Sequence, residues 1–363
     1  DQGAEVIKIE SPEGDNLRRY PSTLDKDSRA FLGVNRGKTG IVLNLKMTEG
    51  LDTLRRMVVS ADVLVHNFRP SVPARLGIAY EQLRPLNPGL IYCSLTGYGE
   101  NGPLKNKAGY DQVLQSMTGI CSLQGKTGGP PEIVYGSVVD YYAASLLAAG
   151  VASALYERTW SGLGQHVGVS LLRSALAMQA ARMVWAQDEP RAVGRDMRSG
   201  GITGLHPTLE GWLYLSANTA HFWRALCEKV GLPALADEAR YDTVRKRAQY
   251  AEELVPLLRA RLAARSALEW EAAFGESVPC AAVRTVEDMF DHPQIVAEDM
   301  IATVDHPIVG RYRCFQQPIQ FGRTPGPEAA PAPTFGQHTT EVLSNDGWSD
   351  DEIASLRSKG VFG

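Results

Sequence analysis

With 363 residues, 44% of them hydrophobic and 21% charged, the chain has the size and composition of a soluble globular protein of two ordinary domains, or of one large domain carrying a smaller insert. A formal charge of −4 argues against bulk nucleic-acid binding, which calls for a basic face, and leaves room for a local basic pocket around an anionic ligand. Five scattered cysteines with no CxxC pair, and no His at ligand spacing, point to reduced thiols in a cytoplasmic protein rather than a disulfide framework or a metal site.

The chain opens without an initiator Met or a signal-peptide pattern and runs at once into the β-branched stretch Val6 to Ile9, so it is expected to begin partway into a domain. Gly40 to Leu45 reads as a strand. Thr48 to Ala61 reads as a helix, with Leu51, Leu54, Met57 and Val58 at helical spacing. Asp62 to Phe68 is a strand, Tyr80 to Leu86 a short helix, and Leu90 to Leu95 a strand closing on Thr96-Gly97-Tyr98-Gly99. Strands alternating with helices imply a parallel, doubly wound sheet, whose ligands bind beyond the carboxyl ends of the strands. The tips Asn67-Phe68-Arg69-Pro70 and Thr96-Gly97-Tyr98-Gly99 are therefore candidate binding loops.

Further along, a helix is expected over Gln112 to Cys121, a long apolar one over Asp140 to Glu157, a strand over His166 to Val169 and a helix over Leu171 to Gln187. The most apolar window, Tyr141 to Tyr156, reads as a buried helix rather than a membrane span, since no run of about 18 apolar residues occurs. Residues 188–207 form a polar connection. Beyond it come a strand over Trp212 to Ser216 and helices over His221 to Val230, Thr243 to Ala264 and Leu268 to Phe274. The tail from Val304 reads as a Pro-rich connection ending in a helix over Asp350 to Lys359.

No P-loop, GxSxG elbow or GxGxxG fingerprint is present. What stands out is a carboxylate: Gly136-Ser137-Val138-Val139-Asp140 leads directly into the apolar helix. This places Asp140 near a helix N-terminus, where backbone N–H groups favour an anion. Two readings stand, a structural cap and a functional carboxylate. Tyr110, thirty residues earlier, reads on its own as a core tyrosine, and Asp111 as a cap of the helix that follows it. Lys8, Arg18, Arg19, Arg36, Lys38, Arg69 and Arg75 all lie within the first 75 positions. Singly each reads as solvated surface; together they suit the phosphates of a nucleotide.

At this point the residues resemble a known family. Val6-Ile7-Lys8-Ile9-Glu10, Asn35-Arg36-Gly37-Lys38, Asp62 to Pro70, Arg75-Leu76-Gly77, Leu95 to Gly99, Ala108-Gly109-Tyr110-Asp111, Gly128 to Pro131 and Ser161 to Gln165 are similar, in order, to segments of the family III CoA-transferases. The similarity runs on through Glu210-Gly211-Trp212-Leu213 to Phe335-Gly336-Gln337-His338-Thr339 and the closing helix. The resemblance implies an α/β fold: a Rossmann-like large domain with an inserted small α+β domain, in an interlocked, ring-like homodimer. The large domain would take residues 1–202 and 292–363, and the small one 203–291. Asp140 takes the place of the catalytic aspartate. Arg18, Lys38, Asn67, Phe68 and Arg75 fall on positions that contact coenzyme A, with Arg36, Arg69 and Tyr110 as neighbours in the pocket. Tyr20 falls near the acyl site, and Gly200-Gly201 on a mobile glycine loop that is shortened here. The family's first strand and loop are expected to be missing, because the chain starts at what resembles the second strand.

The implied reaction moves CoA from an acyl-CoA to a carboxylic acid through aspartyl anhydride and aspartyl-CoA thioester intermediates, without a metal, a membrane or nucleic acid. Two rivals stand beside it. One is an α-methylacyl-CoA racemase, which shares the fold but would carry a His where this chain has Tyr110, whose ordinary pKa of about 10 suits that proton transfer poorly. The other is a non-catalytic CoA-binding fragment.

Overall fold

Strand–helix alternation builds the first half of the chain. A computed structural model describes residues 1–24, 26–124, 129–190 and 201–362. The chain divides into two compact units, one of residues 1–184 with 299–363 and one of residues 185–298.

In the first unit β1 (Ile7–Glu10) is followed by α1 (Arg29–Val34), β2 (Thr39–Val42), α2 (Thr48–Val58), β3 (Val63–His66), α3 (Ser71–Leu76), α4 (Tyr80–Leu83), β4 (Ile91–Thr96), α5 (Asp111–Met117), α6 (Val138–Ser161), β5 (His166–Ser170) and α7 (Leu171–Ala177). β1 pairs with β2 in parallel, Ile7 opposite Thr39. β4 lies between β3 and β5, also in parallel, with Val63 opposite Ile91 and Tyr92 opposite His166. A central parallel strand is covered on both faces and so reads as a nearly continuous apolar run, which is the pattern of Ile91 to Cys93. On one face α6 lays Leu147, Val151, Ala154 and Leu155 against Ile91, Cys93 and Val167. Gly150 permits this approach, since a Cβ there would stand 2.9 Å from Val167 Cγ1. On the other face Leu64 and Tyr92 meet Leu54, Val58, Ile78 and Leu83.

The second unit holds an antiparallel sheet of β6 (Gly204–Pro207), β7 (Trp212–Leu215) and β8 (Cys280–Ala282), with β7 central. Helices α8 (Ala220–Lys229), α9 (Val244–Gln249), α10 (Ala251–Leu262) and α11 (Ala267–Phe274) bury Trp223, Leu226, Leu254, Leu258, Trp270 and Phe274. Thr219, Thr243 and Ser266 cap α8, α9 and α11 through their side-chain oxygens. The short α12 (Pro293–Ala297) closes this unit. The tail then adds the antiparallel pair β9 (Ile301–His306) and β10 (Gly310–Phe315), α13 (Thr339–Asn345) and α14 (Asp350–Ser358) to the first unit. Val342, Leu343, Ile353, Leu356 and Phe362 pack on Ile41, Val42 and Leu43 of the β2 region.

Four expectations need correction. Among the described residues the parallel strands form two ladders, β1–β2 and β3–β4–β5, rather than one doubly wound sheet. The helix expected over Leu171 to Gln187 stops at Ala177. There Gln179 sends its N–H to Leu176 O and its side-chain amide to Ala175 O, the carbonyl its own N–H would take in a continuing helix. The tail from Val304 is not a plain connection. His306 Nδ1 accepts the N–H groups of Ile308 and Val309, and Gly310 at φ 83° turns the chain into β10. Finally, α6 is longer than read and buried on one face only. Val139, Ala143, Leu147 and Ala154 are buried, while Tyr141, Tyr156 and Trp160 are exposed. By length and composition alone α6 would pass as a membrane span; its buried stripe instead packs on the parallel sheet.

Candidate active site

The site is built at the carboxyl end of β4. Just beyond Thr96, Gly97 and Gly109 touch backbone to backbone. A Cβ on Gly97 would lie 2.9 Å from Gly109 Cα, and one on Gly109 would lie 2.7 Å from Gly97 Cα, closer than side-chain carbons tolerate. This contact clamps the loop between them and delivers Tyr110 and Asp111 beside the sheet. Asp111 opens α5 and is buried. Its Oδ2 accepts the N–H of Val139 at 2.6 Å and that of Asp140 at 3.0 Å. Its Oδ1 accepts from Gln115 Nε2 at 2.5 Å, and Gln115 also binds Val134 at both N–H and carbonyl. A carboxylate from a neighbouring helix thus takes up the orphan donors of the first turn of α6, where the helix dipole welcomes it.

That arrangement changes the reading of Asp140. The residue does not cap its helix: Ser137 holds the cap position and Asp140 stands three residues on, with Asp111 bonded to its main chain. Its own carboxylate is released from capping. Burial, and then repulsion from Asp111, push the pKa of Asp140 upward, against a hydrogen bond with Ser137 that lowers it. Asp111, rather than Asp140, takes the N–H groups at the start of α6, so these do not hold the Asp140 carboxylate. Tyr110 is no core tyrosine either. It occupies the cap position of α5 with its side chain 70% exposed.

The basic residues sort into two kinds. Arg18 is engaged on all sides: Nε and Nη2 donate to Glu10 at 2.9 and 2.7 Å, Nη1 to Asp27 at 2.8 Å, and Nη2 also to Pro333 O. Its guanidinium lies 3.6 Å from the centre of the Phe31 ring, so in this structure it braces the fold and does not present a free fork. Lys8 pairs with Asp15, and Arg36 with Asp1 and the carbonyl of Gln316. Lys38 differs. Its Nζ donates to Val34 O and Asn35 Oδ1, both uncharged, and burial together with Lys8 and Arg36 lowers its pKa to about 8. A half-buried ammonium bonded only to uncharged oxygens has the chemistry that suits an anion. Beyond the end of β3, Asn67 and Arg69 are exposed and Phe68 is half-buried, and Arg75 is exposed in α3. Tyr20 follows a single 3₁₀ turn and is 59% exposed. Gly201 is described, at φ 91°, within the second unit; Gly200 lies outside the described residues.

Sequence reasoning missed what joins these pieces. Asp111 was read as capping the helix after it, whereas it caps α6 across the site. The signal was present in Gly109-Tyr110-Asp111 with Gln115 one helical turn on, a buried acceptor with a buried partner.

Comparison with known proteins gives a consistent answer. Residues 1–339 match CoA-transferase family III. Succinyl-CoA:glutarate CoA-transferase of Mus musculus is 32% identical over 370 residues, covering 100% of this chain and 85% of the relative. Succinate–glutarate CoA-transferase of Agrobacterium fabrum is 32% identical and covers 95% and 89%. The crystal structure of a CAIB/BAIF family protein from Brucella suis superposes with a TM-score of 0.82 at 29% identity, over 95% of this chain and 92% of that one.

Proposed function

Because the chain belongs to CoA-transferase family III, we propose that it transfers coenzyme A from an acyl-CoA to a carboxylic acid, with Asp140 as the covalent nucleophile. The observation that carries the reading is the capping of α6 by Asp111, which takes the main-chain N–H groups of Val139 and Asp140 and helps raise the pKa of the Asp140 carboxylate, whose own hydrogen bond is with Ser137. A carboxylate oxygen of Asp140 attacks the thioester carbonyl. The C–S bond breaks, CoA leaves as its thiolate, and a mixed anhydride remains. The thiolate then attacks the Asp140 carbonyl, releasing the donor acid as carboxylate and leaving an aspartyl-CoA thioester. The acceptor carboxylate attacks that thioester, expelling the thiolate, which takes the acceptor acyl group and frees Asp140. No proton or electron is gained or lost over the cycle.

The raised pKa serves these steps. Every covalent intermediate turns the charged side chain at position 140 into a neutral acyl group, so acylation relieves both the burial of the charge and its repulsion by Asp111. Lys38, the tip residues Asn67 and Phe68, and Arg75 of α3 are the groups we assign to the CoA phosphates and base, with Arg36, Arg69 and Tyr110 around them. Arg18 enters this set only if its pairs with Glu10 and Asp27 give way. Since relatives are named for succinyl-CoA and glutarate, short dicarboxylic acids are the first donors and acceptors to try. We read the active form as a homodimer, supported by the exposed aromatics Tyr141, Tyr156 and Trp160 along α6, and light scattering on the eluting protein tests it.

The functional test is a transfer assay with succinyl-CoA and a panel of acceptors, on the parent and on Asp140→Asn and Asp140→Ala. Transfer by the parent with loss of at least about a thousandfold in both variants is expected. Transfer retained by either variant contradicts the assignment. The racemase reading gains no support, since position 110 carries an exposed Tyr; exchange of the α-hydrogen with deuterium without transfer would favour it.

A further inference from the structure

The tip that follows β3 is held by a residue to which no role has been given. β3 ends at His66, and His66 Nδ1 accepts the N–H of Phe68 at 3.2 Å. The imidazole also stacks on the Phe68 ring, 5.5 Å between centres and 22° from parallel. It also makes an edge-type contact with Tyr92, 5.1 Å between ring centres. Tyr92 packs in turn on His166, whose Nε2 lies 2.8 Å from Ser94 Oγ and 3.2 Å from Glu100. We propose that His66 is a positioning residue for the nucleotide end of the CoA site, using Nδ1 to fix the main chain of Phe68 and its ring face to orient the Phe68 ring. The inference rests on the assignment of Phe68 and Arg75 to coenzyme A.

Three features favour positioning over plain packing. An Nδ1 acceptor requires the proton on Nε2, and Nε2 is buried with no hydrogen-bond partner among the described residues. A buried donor without a partner costs stability, and a leucine or phenylalanine would fill the same space without that cost. What such a residue lacks is the acceptor for Phe68. Burial and the neighbouring His166 hold the pKa of His66 near 4, so the acceptor persists across the neutral range. The residues it serves, Asn67 to Arg69, turn out at the carboxyl end of a parallel strand, where α/β sheets bind ligands. Fixing such a tip before the ligand arrives lowers the ordering cost of binding.

Acyl-CoA kinetics on His66→Leu and His66→Asn test this. Asparagine restores a side-chain acceptor for the N–H two residues on; leucine fills volume without one. Loss of one such bond and of the ring's orientation predicts about a tenfold rise in KM for acyl-CoA in His66→Leu with kcat within about twofold, and recovery to within about threefold of the parent in His66→Asn. Equal rises in both variants, or a fall in kcat at constant KM, overturn the assignment. Phe68→Ala and Arg75→Ala, measured alongside, separate the two layers. A raised KM in these with no change in His66→Leu overturns the His66 role alone, and no change in all three overturns the placement of CoA as well. Should His66→Leu fail to fold, His66→Phe, which keeps a stacking ring without the acceptor, takes its place: a KM above that of His66→Asn is expected, and one no higher overturns the acceptor role.

Discussion

In the proposed reaction the chemistry is assigned to Asp140, Asp111 and Lys38. From local sequence Asp140 reads first as a cap, and only the family resemblance turns it into a catalyst; in the structure Asp111 takes the N–H groups at the start of α6. No reading of one segment reveals that, because the bond spans two helices whose register is set by tertiary packing. Asp140 has a folded pKa raised above its unfolded value, so its acid form is favoured in the fold and its ionised form costs stability as pH rises past the unfolded value. Asp111→Asn keeps an acceptor for Val139 and Asp140 while removing the repelling charge. The acid limb of kcat/KM should move to lower pH, and transfer should slow, because removing the Asp111 charge takes away one of the two causes that raise the Asp140 pKa. A limb that stays in place contradicts the coupling. Lys38 has the opposite sign. With a folded pKa near 8, below its ordinary value, its charge is carried at a cost below about pH 8, and the free protein gains stability as pH rises from there toward the unfolded value. A phosphate beside it reverses that cost. Titration of CoA should therefore show affinity falling by up to about tenfold as pH rises through 8, and Lys38→Met should remove that slope. An unchanged slope in Lys38→Met places the anion elsewhere.

At the scale of elements, the two glycine motifs after β4 work as one device. Thr96-Gly97-Tyr98-Gly99 and Ala108-Gly109-Tyr110-Asp111 were legible as separate loops; that Gly97 and Gly109 touch was not, because only the backbone path brings them together. Gly109→Ala forces a Cβ to 2.7 Å from Gly97 Cα, so the loop must shift and take Asp111 with it. Thermal and kinetic measurements should show a loss of about 1–3 kcal/mol in stability together with loss of transfer. Lost stability with intact transfer would mean that the clamp does not position Asp111. Strands β3 to β5 and helices α2, α6 and α8 were readable because apolar spacing or β-branched runs mark them. The β9–β10 hairpin was not, since its turn depends on His306 accepting two N–H groups, which no spacing rule reports.

At the scale of the molecule, the tail completes the first unit. Phe362 and Val361 are buried against Ile41 to Leu43, more than three hundred residues earlier, and Val361 O accepts the N–H of Asn44. Phe362→Ala should cost about 3–5 kcal/mol and loosen β2, seen as faster amide exchange at Ile41 to Leu43. Protection unchanged there would show the contact to be dispensable. The α/β class and the family could be read from ordered motifs. The resemblance implied an inserted small domain over residues 203–291; by packing the second unit takes residues 185–298, bounds that no motif marks. The most direct test of the account takes the whole protein with succinyl-CoA, quenches with hydroxylamine and maps the modified peptide by mass spectrometry. A hydroxamate at Asp140, absent in Asp140→Asn and absent without acyl-CoA, is the predicted result; transfer proceeding with Asp140 unmodified would contradict it.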